Sequence, residues 1–88
     1  MLNSVKIKDV KLITGELIKT VRKQHQLTQS QLAEALDISR LTVQNVEKGK
    51  NYTIDTLLKI VQYFDLLQEL HELLLQVLED KKQTKSLY

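Results

Sequence analysis

The chain has 88 residues, a formal net charge of +2 and neither cysteine nor proline. That length suits one domain, and the missing cysteines exclude disulfides and thiolate metal sites. His25 and His71 are the only histidines and do not stand at ligand spacing, so neither a metal nor a cofactor is expected. No apolar run reaches membrane-spanning length and no secretory leader pattern opens the chain, so no membrane association and a cytoplasmic location are expected.

With glycine only at positions 15 and 49, turn-and-strand punctuation is absent and an all-α fold of five helices is predicted. Residues 1–8 alternate Val5 and Ile7 with Lys6 and Lys8. They read as a flexible basic N-terminal arm or as a short strand paired with another chain. The first helix is predicted from Val10 to His25, with Asp9 as N-cap. Val10, Ile13, Leu17 and Val21 recur at helical spacing, with Ile18 alongside. Gly15 within it costs about 1 kcal/mol relative to alanine, which a close helix–helix approach would explain.

The second helix starts at Thr28, with Gln31 three residues on as a capping box. The third has Ser39 as N-cap and Gly49 as the left-handed residue after its end. The fourth begins near Thr53 and is expected to bury Ile54, Leu57, Leu58 and Val61, with Ile60 beside them. The fifth is predicted over 65–80, opening at Asp65 with Gln68 in capping-box position. It carries Leu66, Leu67, Leu70, Leu73, Leu74, Val77 and Leu78, followed by a fraying polar tail over 81–88.

Residues 28–49 bring the second and third helices together across Leu36-Asp37-Ile38. Leu32, Ala33, Leu36, Ile38, Val43 and Val46 supply a shared core, Ala33 being small where the other helix must approach. Asp37 stands where the turn needs the left-handed region. Arg40, Leu41, Gln44, Asn45 and Lys48 are left facing outward, and their polar members are types that read base edges and phosphates. Charge follows the same division: residues 1–50 hold nine Lys/Arg and five Asp/Glu, residues 51–88 hold four and six. The positive half is the half with the outward polar stripe.

Residues 10–64 resemble the Cro/C1-type (XRE-like) helix-turn-helix family of phage repressors and bacterial regulators. The resemblance is carried by Arg22, Leu27-Thr28-Gln29, Leu32-Ala33, Ile38-Ser39 and Glu47-Lys48-Gly49. Two positions depart from the family pattern: Gln26 and Asp37 stand where it usually has glycine. The resemblance implies a five-helix, lambda-repressor-like fold, with the helix-turn-helix DNA-binding domain over 9–64 and the fifth helix beyond it. It also implies that Gln29 bonds a phosphate and that Arg40, Leu41, Gln44 and Asn45 occupy the base-reading positions. Arg40 would fork onto guanine, Gln44 or Asn45 onto adenine, and Leu41 would meet a thymine methyl or stand as a tolerated exposed leucine. Ser39, Thr42, Lys48, Lys50, Asn51 and Tyr52 are phosphate candidates, plain solvent exposure being the alternative for Thr42. Arg22 and Glu47 match the family's ion pair, the alternative being that Arg22 contacts phosphate.

The fifth helix holds more leucine than a small core requires. Leu66, Leu70, Leu73, Leu74 and Val77 therefore read as a dimerisation stripe, part of it packing on the body. Two recognition helices about 34 Å apart would read successive major grooves of a palindromic operator. The expected function is a homodimeric, sequence-specific binder of double-stranded DNA that regulates transcription, a repressor because a single small domain acts most simply by occupying a promoter. A leucine-rich last helix also resembles antitoxins paired with HipA-type kinase toxins, which makes a toxin protein the alternative partner. An RNA-binding or coactivator module is a further alternative. No nucleophile–base pair, carboxylate dyad or phosphate loop is present in the sequence, so an enzyme is not expected.

Overall fold

The computed structural model describes residues 4–85. Its regular structure is all helical: α1 (Ile7–Gln24), α2 (Gln29–Leu36), α3 (Arg40–Glu47), α4 (Ile54–Tyr63) and α5 (Leu67–Lys85). Residues 1–3 and 86–88, parts of the expected arm and tail, lie outside the described residues.

Local side-chain chemistry starts most of these helices. Thr28 Oγ1 accepts from the Gln31 N–H at 3.0 Å while Gln31 Oε1 accepts from the Thr28 N–H at 2.8 Å. Ser39 Oγ and Thr53 Oγ1 cap α3 and α4 in the same way, accepting from the N–H three residues on. Each cap satisfies a helix-terminal donor that would otherwise lack a partner. Asp9 works from the opposite side of its cap. Its Oδ2 accepts from the Lys6 N–H at 2.8 Å, so α1 begins at Ile7 and the expected arm is cut short. Ile7 and Lys8 are helical, which removes the strand alternative there.

Four helix ends share one design. Gln26, Asp37, Gly49 and Asp65 all have left-handed backbone, with φ of 59°, 55°, 72° and 61°. The residue after each sends its N–H back to a carbonyl five residues earlier: Leu27 to Arg22, Ile38 to Ala33, Lys50 to Asn45 and Leu66 to Val61. This closes the helix and, in three cases, turns an apolar residue onto the core. The two family glycine positions filled by Gln26 and Asp37 thus keep the backbone that glycine would take. Asp65 belongs to this set. It ends α4 instead of capping α5, which starts at Leu67, and Gln68 bonds Glu72 in place of a capping box.

The core comprises Ile18, Leu32, Ala33, Val43, Val46, Ile60, Val61 and Phe64. The face of α1 that enters it runs through Gly15, Ile18 and Arg22. The stripe expected to be buried, Val10, Ile13 and Leu17, is exposed, with only Val21 partly covered. On α4, Ile60 and Val61 are buried and Leu57 and Leu58 half-buried, while Ile54 is 70% exposed in the first turn, contrary to expectation. Leu66 and Leu70 pack on the core, but from His71 to Gln83 every side chain of α5 is exposed. The helix continues through Lys85, so residues 81–85 are helical and not a frayed tail.

Candidate nucleic-acid interface

α3 is held by its inner face and its two ends. Val43 and Val46 are fully buried. Gly15 of α1 lies directly against the last turn of α3: a Cβ there would meet the Glu47 and Val46 carbonyl oxygens at 2.5 and 2.6 Å. Only glycine lets the two backbones come this close. Gly49 then turns the chain away from the helix end.

The Glu47 carboxylate joins α1, α2 and α3. Its Oε2 accepts from Arg22 Nε at 2.6 Å; its Oε1 accepts from Arg22 Nη2 and from Gln29 Nε2, both at 3.0 Å. The third guanidinium nitrogen, Nη1, donates to the Leu27 carbonyl at 2.7 Å. The two charged side chains are 8% and 3% exposed, and this two-pronged contact is the geometry that favours arginine over lysine. Burial pushes the Glu47 carboxyl up, but the bonds from Arg22 and Gln29 and the charges of Arg22 and Lys19 outweigh it. The group is held below the usual carboxylate value.

The outer face of α3 makes no such contacts. Arg40, Leu41 and Lys48 are exposed, Leu41 to 63%, and Gln44 and Asn45 are half-buried at the flanks. At 100° per residue these five share one face, opposite Val43 and Val46. The other singled-out polar residues surround them unevenly. Ser39 and Thr42 stand at the start of α3 with their hydroxyls 2.7 Å apart. Lys50 and Asn51 are exposed beyond its end, and Asn51 Oδ1 accepts from Lys11 Nζ at 3.3 Å. Gln29 is half-buried and held by Glu47. Tyr52 lies partly against the core.

Two contacts here have no sequence signal. The Lys11–Asn51 bond spans 40 residues, and the Gln29–Glu47 bond engages a glutamine that the family resemblance assigned to a phosphate and not to Glu47. Of the five residues read as a dimerisation stripe, Leu66 and Leu70 pack on the body, whereas Leu73, Leu74 and Val77 are exposed. Among the described residues no cluster of three His, Asp or Glu could hold a metal ion, and no helix is long and apolar enough to cross a membrane.

Comparison with known proteins agrees with this geometry. A family described as "Helix-turn-helix" matches residues 18–67, from the middle of α1 into α5. The chain is 36% identical over 53 residues to a Methanocella arvoryzae protein named "Putative HTH-type transcriptional regulatory protein". That stretch is 60% of this chain but 16% of the relative, so the chain spans about a sixth of that protein's length. A fully buried inner face on α3, a left-handed turn at Asp37 and a match over more than half its residues place the chain in the helix-turn-helix family, whose fold presents a helix to DNA.

Proposed function

We propose that the chain binds duplex DNA in a sequence-specific manner and regulates transcription, with α3 in the major groove. The observation that carries this reading is the outer face of α3. Arg40, Leu41, Gln44, Asn45 and Lys48 project from a helix whose other side is fully committed to packing. Arg40 forks onto the O6 and N7 of a guanine, and Gln44 or Asn45 pairs with the N6 and N7 of an adenine. Leu41 meets a thymine methyl. Ser39, Thr42, Lys48, Lys50, Asn51 and the Tyr52 hydroxyl contact phosphates along the groove edge. Gln29 gives one amide hydrogen to Glu47 and keeps the other for the backbone beside α2.

A short helix reads only a few base pairs, so the proposed unit is a homodimer on a palindromic operator, acting as a repressor by occupancy. The exposed apolar half of α5 supports a second reading, in which the chain is an antitoxin that also seats a toxin protein there. The test is selection of bound sites from random duplexes, followed by titration at rising salt. The reading expects an inverted-repeat site and an affinity that falls steeply with salt as condensed counterions are released. Equal binding to single-stranded and duplex competitors would remove it.

A further inference from the structure

We propose that a second copy of this chain covers the exposed apolar residues of α1 and of the free half of α5, each copy's α5 lying across the other's α1. This rests on the homodimer reading and specifies its interface. On α1, Val10, Ile13 and Leu17 share a face and are 53%, 66% and 50% exposed. On α5, Leu73, Leu74 and Val77 are 64%, 62% and 55% exposed. A groove of about 330 Å³ joins the two helices, with Leu17, Leu57, Leu66, Leu70 and Leu73 in its walls. An apolar face of this extent on so small a body calls for cover.

The cover is a second copy because the chain carries both complementary parts. Residues 71–83 extend past the body as a helical overhang with an apolar stripe, and a helix of that length is marginal in water without packing. The groove is a recess of the same chemistry. A twofold exchange fills both at once, as a self-complementary interface requires. Charge selects the pairing. α1 shows Lys8, Lys11, Lys19 and Lys23 against Asp9 and Glu16. Residues 67–80 of α5 hold Glu69, Glu72, Glu79 and Asp80 and no Lys or Arg. α1 on α1 sets lysines against lysines, whereas α5 on α1 sets the carboxylates of 69–80 against them; Lys81, Lys82 and Lys85 stand at the far end of α5.

The chain has no cysteine, so single cysteines report the geometry directly. Leu17→Cys and Val77→Cys chains, one carrying a mass tag, are mixed without DNA and oxidised. The expected product is a cross-linked pair containing one of each. Val77→Cys linked only to itself overturns the exchange in favour of α5–α5 pairing. A chain that is monomeric in light scattering at micromolar concentration overturns it outright, and so does one that binds a different protein over this face while monomeric alone. Ile13→Glu lies on the exposed face of α1, away from the core, and is expected to weaken dimerisation at least about tenfold, with the melting temperature falling only at concentrations where the wild type is dimeric. Cross-linking without DNA and duplex titration fail separately: loss of duplex binding with the mixed cross-link intact removes the DNA reading alone.

Discussion

On the inner face of α3, Val43 and Val46 are fully buried, and Glu47 is held by two bonds from Arg22 and one from Gln29. On the outer face, one helical turn away or less, the Arg40, Leu41 and Lys48 side chains are exposed. The inner residues are explained by packing alone. The outer ones are not: folding does not require an exposed leucine flanked by Arg40, Gln44 and Asn45. A face unused by the fold and chemically selective is where function is sought. Substitutions on the inner face should therefore act on stability, and substitutions on the outer face on binding.

The largest expected effect is at Glu47. Glu47→Ala leaves the buried Arg22 guanidinium with the Leu27 carbonyl as its remaining anchor. It should cost about 3–5 kcal/mol of stability by denaturant unfolding. Acid attacks the same group. Because its folded value is depressed, its contribution is complete above the ordinary value of 4.5 and is lost as pH falls through the lower folded value. The stability gap between wild type and Glu47→Gln should narrow on acidification below 4.5; a constant gap would break the assignment. Gly15→Ala drives a methyl into two backbone carbonyls. It should cost about 1–3 kcal/mol, although alanine is the better helix former. A neutral or stabilising result would mean that the contact of α1 with α3 is looser than described.

Smaller effects lie at the helix ends. Thr28→Ala removes the acceptor for the Gln31 N–H and should cost about 1 kcal/mol. Gln26→Gly should move stability the other way, raising it by up to about 1 kcal/mol. It relieves a left-handed backbone at φ 59°, less the added freedom of the unfolded chain. A loss there would show that the glutamine side chain contributes more than its backbone costs. None of these helix-end changes should alter the ratio of cognate to random duplex affinity.

The parts of the molecule legible in the sequence are those governed by neighbouring residues. The caps at Thr28, Ser39 and Thr53 and the left-handed turn at Asp37 depend on bonds a few residues long. The outer stripe of α3 followed from the same periodicity. On α1 the apolar periodicity alone points to an exposed face, because the buried face runs through a glycine and an arginine. Gly15 reads as a site of close helix approach, and Arg22 only through the resemblance as Glu47's partner. Both are buried by long-range events, the backbone approach of α3 and the pairing with Glu47. The visible stripe of Val10, Ile13 and Leu17 instead faces out. Asp65 misled because a good N-cap residue is also one of the few that tolerate left-handed backbone, and here it ends a helix.

The central claim is that the outer face of α3 reads base sequence. It is tested most directly with Arg40→Ala, titrated against the selected duplex and a random one, with Lys48→Ala in parallel. Arg40→Ala should lose about 1–3 kcal/mol on the selected site and little on random DNA, at unchanged melting temperature. Lys48→Ala should weaken both duplexes alike. Equal losses on both duplexes for Arg40→Ala, or no loss on either, would contradict it.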